Sequence, residues 1–524
     1  MSMSTTTISL RVKNWGPIRE GFVTIEPLTV FIGPNNTGKS YLAMLLYALV
    51  LAVNKSNRLI SGRVGLEREL VSIASALVDS YFTKKRRDKD LIRESERLIS
   101  EALSEALSKE TSKIFPSTFK EELERVYSSE IGTLVRLGST EALIELRVSN
   151  PSVDFLVTCR VTTEDDLEVE KFKLEVKPPL IEKCKVAALL HHPYLSYLRR
   201  SISERTRELL REDLRLELTF WLFRIARIAL ESVPFGGNIH YLPASRAGVL
   251  HSYRSIAKAL VSLASIAPVR GVEIPGIPGP LADFLGELIL VGSKPRRARE
   301  RNDAVIRAIA QSLEEEILEG EITLLRQPPE APPALVFKFD GGSLPIARVS
   351  SMIAEAAPLS ILLKYGTVRP GDTLIVEEPE AHLHPDKQAK LAVLFAKLVN
   401  EARMRLLITT HSEILLAKLS NLVSLSAMPH DKAREIGYDP SAALSLEKIA
   451  VYSFEPRPGG VVVVPVKVTR EGIPDDVFQR VIEDLYEETM SLYYRLQELR
   501  GEGPGGASRD HDGAEGRADQ VEDP

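Results

Sequence analysis

Between the apolar run Leu28 to Ile32 and a second apolar run starting at Tyr41 stand eight residues, Gly33-Pro34-Asn35-Asn36-Thr37-Gly38-Lys39-Ser40. They fit G-x-x-x-x-G-K-[ST] at every position, and the flanking patterns predict a strand before them and a helix from Gly38 to about Val53. No other feature constrains the chain as much. The glycines let the backbone curl so that its N–H groups converge on phosphate oxygens. Lys39 brings a compact positive charge toward β- and γ-phosphates, and Ser40 offers a hydroxyl to Mg2+. The positive dipole end of the following helix adds to that field. A chance match in a glycine-containing turn is the competing explanation, and the strand–loop–helix setting argues against it.

A second signal lies more than 330 residues downstream. The apolar strand Thr373-Leu374-Ile375-Val376 ends in Glu377-Glu378. Two adjacent carboxylates at the end of a buried strand are costly unless a cation or a proton transfer uses them. In an enzyme with such a phosphate loop, Glu377 holds Mg2+ through water and Glu378 polarises the attacking water. The bland alternative is a solvated helix start. A further strand, Arg405 to Thr409, runs into Thr410-His411-Ser412. His411, so placed, can donate to a γ-phosphate; taken alone it would read as a structural histidine.

Around these motifs the organisation is mixed. Residues 8–12, 23–25 and 28–32 alternate as strands, separated by turn residues. Residues 63–130 read as charged helix, 142–149, 154–162 and 167–177 as a small antiparallel meander, and 195–233 as helix again. Helices are expected over 248–266 and 300–318, short strands from about Gln327, and strand–helix alternation from 350. That alternation predicts an α/β fold with a largely parallel, helix-covered sheet. The expected divisions are 1–55 and 321–472 for the two parts of a head, 56–239 for an insertion, 240–320 for a linking segment, 473–500 for a terminal helix and 501–524 for a disordered tail. The tail holds seven acidic residues against two arginines, which accounts for the whole net charge of −5. The remainder is therefore neutral and does not demand a nucleic acid. The two cysteines, Cys159 and Cys184, exclude a disulfide scaffold or a cysteine-rich zinc module. The opening residues read as a strand, not a signal peptide, and the 13-residue apolar run from Tyr41 falls short of a bilayer span. A cytoplasmic protein is expected.

The order GPNNTGKS, LIVEEPEAHLHP, LLITTHS, with a long insertion between the first two, resembles the ABC-type ATPase head. Within that class it resembles the RecF and OLD-like group of stand-alone "AAA family" ATPases, over about residues 7–55 and 240–470. The resemblance implies Mg2+-dependent ATP hydrolysis and a homodimer closed on ATP. Each nucleotide would then lie between one head's loop (Gly33, Pro34, Asn35, Asn36, Thr37, Gly38, Lys39, Ser40) and a signature helix of the other. The matching segment is Arg348-Val349-Ser350-Ser351-Met352-Ile353-Ala354-Glu355, so Ser350 and Ser351 would supply the contact in trans. Met352 stands where a glycine is typical, Glu377 replaces the commoner Asp, and no glutamine marks a Q-loop. Arg246, in Leu242-Pro243-Ala244-Ser245-Arg246, either reaches the nucleotide, couples the insertion to it, or makes a structural salt bridge. The resemblance implies a switch acting on DNA or a partner nuclease, in genome maintenance or phage defence. A transport-type subunit with a membrane partner is the alternative, disfavoured by the non-LSGGQ signature and the large insertion. A structural protein with a degenerate site is a third, against which Lys39, Glu378 and His411 speak.

Other signals weigh less. His382 and His384 have metal-like spacing, but no cysteine lies near and the resembling family has a loop there. Asp510-His511-Asp512 sits in a glycine-rich tail and does not end a strand, so no Toprim nuclease domain is expected. The basic clusters Lys84–Arg87, Arg199-Arg200 and Lys294–Arg299 lack stacking aromatics and read as solvated faces.

Overall fold

The structure is a computed structural model that describes residues 6–62, 64–83, 89–184, 203–233, 237–270, 277–291, 301–325, 333–365, 368–474 and 480–500. The three basic clusters and the tail with Asp510-His511-Asp512 lie outside the described residues. The chain divides into two units, Met1–Ile473 and Pro474–Pro524.

The first unit opens with strands β1 (Thr7–Trp15), β2 (Ile18–Thr24) and β3 (Leu28–Ile32). Helices α1 (Lys39–Ser61), α2 (Val64–Thr83) and α3 (Lys89–Tyr127) follow. Next come β4 (Glu141–Ser149), β5 (Val153–Thr162), β6 (Leu167–Val176), α4 (Pro178–Cys184) and α5 (Glu204–Ser232). After β7 (Ile239–Leu242) stand α6 (Arg246–Arg270), α7 (Gly279–Leu290) and α8 (Arg301–Leu313). Strands β8 (Glu321–Leu325), β9 (Ala334–Phe339) and β10 (Gly342–Pro345) form a small sheet of their own and lead into α9 (Ser351–Lys364). The closing run is β11 (Thr373–Glu377), α10 (Pro385–Asn400), β12 (Arg405–Thr409), α11 (Glu413–Leu425), α12 (His430–Glu435), β13 (Ile449–Arg457) and β14 (Gly460–Val466). In the second unit the described element is α13 (Arg480–Arg500).

One eleven-stranded sheet carries the first unit, in the order β6-β5-β4-β1-β2-β14-β13-β3-β12-β11-β7. Its two halves differ because their sequences differ. Strands β3 and β11 are buried at all five positions, β12 at four of five. Near-continuous apolar runs of this kind suit parallel strands covered on both faces. The pairings β13·β3, β3·β12, β12·β11 and β11·β7 are indeed parallel. In β4 and β5 burial alternates residue by residue, as antiparallel strands with one packed face require. The result is the expected α/β fold with a mixed sheet.

The expected antiparallel meander is β4-β5-β6, and it joins the main sheet: β4 pairs with β1 in register Leu10↔Leu146, so the strands of the insertion extend that sheet. Leu10 and Val12 of β1 and Ile144 and Leu146 of β4 are all buried, so joining the edges continues one apolar face. Helix α1 runs on to Ser61, past the expected end near Val53, because buried Ser56, Asn57 and Ile60 keep facing the core. Asn57 there donates to the Leu230 carbonyl of α5 at 2.8 Å. The expected helix 195–233 is described from Glu204, and residues 195–202 lie outside the described residues. Neither the four-residue β7 nor α7 was anticipated.

Helix α1 lies against the sheet through Leu42, Leu45, Leu46, Leu49 and Val53, spaced for one helical face. Among the described helices it alone has the length and apolarity that a bilayer span would take, and two thirds of that stretch are buried in the fold. Aromatic side chains tie the insertion to the head. Trp15 Nε1 donates to the Tyr127 hydroxyl at 3.1 Å, which donates to the Tyr41 carbonyl at 2.6 Å.

Phe454 of β13 is fully buried, with its ring 5.1 Å from that of Phe31 in β3. Phe454→Ala should lower stability by about 3–5 kcal/mol through the cavity it leaves, measured by urea denaturation; a loss below about 1 kcal/mol would contradict this packing.

Candidate functional site

The three parallel strands β3, β12 and β11 all end on one edge of the sheet, and each runs directly into a segment singled out in the sequence. The first is the 33–40 octet. Gly33 (φ 134°), Asn36 (φ 61°) and Gly38 (φ 95°) all take positive φ. Two of these positions need glycine for space as well. A Cβ at Gly33 would lie 2.6 Å from the Phe454 carbonyl oxygen, and one at Gly38 would lie 2.8 Å from Pro17 Cγ. Thr37 Oγ1 donates to the Pro34 carbonyl at 2.8 Å and closes the turn.

Lys39 is the first residue of α1 and only 6% exposed. Its ammonium folds back to donate to the carbonyls of Gly33 (2.9 Å) and Pro34 (2.8 Å). Burial pushes its pKa down to about 8, against the opposing fields of Glu378 and Glu380. Gly38 caps the helix without a side-chain hydrogen bond, so the first turn keeps N–H groups to offer.

Glu377, at the end of β11, is buried, and both its oxygens are engaged. One accepts from the Tyr241 hydroxyl at 2.9 Å and the other from the Ala244 N–H at 3.0 Å. Glu378 is half-buried, with φ 41°, and its N–H donates to the Thr409 carbonyl at 2.9 Å. The strained residue thus sits where β11 leaves β12.

At the end of β12, His411 is exposed and its N–H donates to Glu380 Oε1 at 2.8 Å; the same oxygen accepts from Thr410 Oγ1 at 2.7 Å. The second oxygen, Glu380 Oε2, is buried without a partner. Partial desolvation and then the Lys39 ammonium push the His411 imidazole below its ordinary pKa, while Glu378 and Glu380 pull the other way. The imidazole is therefore neutral near pH 7. Ser412 Oγ caps α11, accepting from the Leu415 N–H at 2.9 Å.

Arg246 opens α6 and is 2% exposed. It does not couple the insertion to the site; it binds the head to itself. Its guanidinium donates to the carbonyls of Glu377 (2.6 Å), Glu378 (3.0 Å) and Glu355 (3.0 Å), with Glu355 Oε2 also 3.0 Å away. Ser350 and Ser351 lie apart from this cluster in contact terms, exposed at the amino end of α9, where Ser350 Oγ accepts from the Ile353 N–H at 3.4 Å.

The oxygen donors of Ser40 and Glu377 suit a hard, octahedral cation such as Mg2+. With two lone pairs of Glu377 already taken, its remaining capacity fits an approach through water. Among the described residues no group of three or more His, Cys, Asp or Glu could hold a metal alone, so phosphate oxygens would have to complete the sphere. His384 Nδ1 pairs with Asp386 at 2.5 Å at the start of α10.

The sequence singled out the octet, Glu377, Glu378, His411 and Arg246, but gave no role to Tyr241, Glu355 or Glu380. Glu355 had a signal: it is a lone charge in Met352-Ile353-Ala354-Glu355-Ala356-Ala357, and a buried carboxylate requires a partner.

This architecture is a P-loop one, and the comparison with known families agrees: the chain belongs to the AAA ATPase domain family, whose model matches residues 8–183 and 292–416, more than half of it. The first segment takes in residues 56–183, beyond the 7–55 span of the motif resemblance. Among solved structures the chain is similar to an SmcHead bound to the C-winged helix domain of ScpA, at 12% identity, with 88% of this chain and 98% of that one covered and a TM-score of 0.39. A Pyrococcus furiosus Smc head domain bound to the C-terminal domain of ScpA gives 13% identity, 95% and 100% coverage, and a TM-score of 0.37. The SMC head domain from Thermotoga maritima gives 10%, 88% and 99%, and 0.33. No curated protein matches the sequence.

Gly33→Ala should lower stability by about 1–3 kcal/mol from backbone strain alone, read by thermal or urea melting. A variant as stable as its parent would contradict the loop geometry.

Proposed function

We propose that the chain binds ATP with Mg2+ in the loop Gly33–Ser40 and hydrolyses it, and that ATP closes two copies into a dimer. One observation carries the reading: the order β3-β12-β11 sets the phosphate loop and the carboxylate pair two strands apart on one edge, with His411 between them. At about 4.8 Å per strand, roughly 10 Å separates the two strand ends, a gap that a terminal phosphate and a water fill.

In this reading the loop N–H groups and Lys39 hold the phosphates, exchanging the Gly33 and Pro34 carbonyls for anionic oxygens. Ser40 and, through water, Glu377 would hold Mg2+, which would supply charge neutralisation for the phosphates. Glu378 orients the attacking water and takes its proton, and neutral His411 donates to the γ-phosphate. Ser350 and Ser351 of each copy meet the nucleotide of the other, their helix amino end suited to an anion. The cellular role we assign is a cytoplasmic, RecF- or OLD-like switch acting on DNA or a partner nuclease, on the strength of the motif order alone. Stimulation of turnover by DNA is the measurement that separates this role from other ATP-driven ones.

Glu378→Gln keeps the shape of the side chain and loses its basicity. Hydrolysis should fall on the order of a hundredfold while ATP binding survives. Light scattering should then show a dimer with ATP that ADP does not support. A wild-type rate in this variant would remove Glu378 as the base. A variant equally oligomeric with both nucleotides would remove the ATP-driven dimer. Lys39→Ala should abolish binding, since a methyl group cannot replace the ammonium.

The Lys39 pKa gives a pH signature. Free Lys39 titrates at about 8, and a bound triphosphate raises that value, so binding takes up a proton above pH 8. Affinity should be level below about pH 8 and fall up to about tenfold per pH unit above it. Lys39→Arg, charged throughout, should be level over the same range. Calorimetric titration from pH 7 to 9.5 reads both, and a level wild-type curve would contradict the assignment.

A further inference from the structure

Arg246 is charged, buried and at the meeting point of two segments that the proposed mechanism keeps separate. A buried guanidinium is tolerated where its donors are all met. Here four of its five N–H groups are met, all by main-chain carbonyls. Three of its acceptors at the site are main-chain carbonyls, those of Glu377, Glu378 and Glu355, and a fourth is the carbonyl of Pro243 at 3.2 Å. The guanidinium therefore makes no hydrogen bond to the Glu377 or Glu378 carboxylate and fixes the backbone from which they project. That backbone needs fixing: Glu378 has φ 41°, a left-handed conformation that persists in a non-glycine residue only where its surroundings hold it.

The other end of the contact is Glu355 in α9. Desolvation raises the Glu355 carboxyl above its ordinary range, and the Arg246 guanidinium pulls it back. Glu355 stands four residues after Ser351, one helical turn and about 6 Å along the axis, on the same helical face. A force on the exposed amino end of α9 reaches Glu355 through one rigid turn, and Arg246 passes it to the carbonyls of the carboxylate turn.

We infer that Arg246 and Glu355 link the amino end of α9 to the Glu377–Glu378 turn, with Arg246 a positioning residue that sets Glu378 when a phosphate engages Ser350 and Ser351. The link rests on the ATPase reading above and adds to it a route by which one copy's signature serine pair, on meeting its partner's nucleotide, adjusts its own catalytic turn. Each copy of a closed dimer thereby registers that the other is loaded.

The test uses the full chain with Mg-ATP and five variants: Arg246→Lys, Glu355→Gln, the pair Ser350→Ala with Ser351→Ala, and that pair combined with each of the first two. Lysine keeps the charge but cannot span both carbonyls. Glutamine keeps the size of Glu355 without its charge. For Arg246→Lys and Glu355→Gln, kcat should fall on the order of ten- to a hundredfold, the scale of a misplaced catalytic group, with the nucleotide Kd unchanged. Combined with the serine pair, the loss should be well short of the product of the separate losses, since both lesions interrupt one route.

Parental kcat in both single variants would overturn the link, as would fully multiplicative losses, which mark an ion pair serving stability alone. A serine pair without effect would leave nothing to transmit and would overturn it too. Should Arg246→Lys fail to fold, Glu355→Gln decides by itself. Lys39→Ala and Glu378→Gln, run beside these, keep the two levels apart. If they behave as the ATPase reading requires while the Arg246 and Glu355 variants are parental, the link alone is lost. If Lys39→Ala binds ATP normally, the ATPase reading falls first.

Discussion

Burial on both faces is the constraint from which the site follows. Strands β3, β12 and β11 are short, apolar and parallel, with helices covering them, so no charged side chain can project from their middles without loss of hydration. Charged groups are confined to the strand ends. Because parallel strands stop on the same edge, the octet, Glu377-Glu378 and Thr410-His411 are brought together although more than 370 residues separate the first from the last. Strand order then sets spacing: β12 between β3 and β11 keeps the ammonium and the carboxylates apart instead of letting them collapse into an ion pair. No salt bridge between Lys39 and a carboxylate forms among the described residues, although Glu378 and Glu380 are close enough to raise its pKa.

At this edge the carboxylates Glu377, Glu378 and Glu380 outnumber Lys39 and the buried Arg246, and not every charged group has a full set of partners, which suits a ligand that brings both signs. Lys39 is held by two carbonyls, weaker partners for an ammonium than phosphate oxygens would be. Glu380 has one oxygen committed to Thr410 and His411 and the other buried without a partner. An orphaned buried carboxylate oxygen is costly in isolation, and a water or cationic group arriving with a nucleotide would relieve it. The site thus carries unmet electrostatic demand at the edge of a buried apolar core, which leaves its groups available to a ligand.

How much of this the sequence disclosed depends on how local each determinant is. The octet is legible because its glycines, lysine and serine act through the loop's own backbone, and β11 and β12 are legible from uninterrupted apolar runs. Glu380 stood in plain view in Glu377-Glu378-Pro379-Glu380, but its function is to hold Thr410 and His411, and no spacing rule reports a partner 30 residues on. Strand β7 was missed because four residues are too few for a period to show. The meander was legible as strands but its attachment was not, since edge-to-edge pairing of β4 with β1 depends on which edge is left open, a property of the assembled sheet. Arg246 posed a different difficulty: its type and its neighbours are compatible with a nucleotide contact, and only its burial among carbonyls assigns it to the backbone.

The join between β1 and β4 has a consequence for how the insertion can act. The turn between β1 and β2 places Pro17 and Ile18 against Gly38, and Gly16 against the Tyr41 ring, so it packs on the first turn of α1. Tyr127, at the end of α3, hydrogen-bonds Trp15 of β1 and the Tyr41 carbonyl of α1. Strands β4, β5 and β6 hang from β1 by backbone hydrogen bonds, and α3 packs on β6. The insertion is therefore tied by sheet pairing and side-chain contacts to the helix that begins with Lys39. The insertion is in this sense part of the phosphate loop's mechanical surroundings, placed where its sequence alone gave no sign of it.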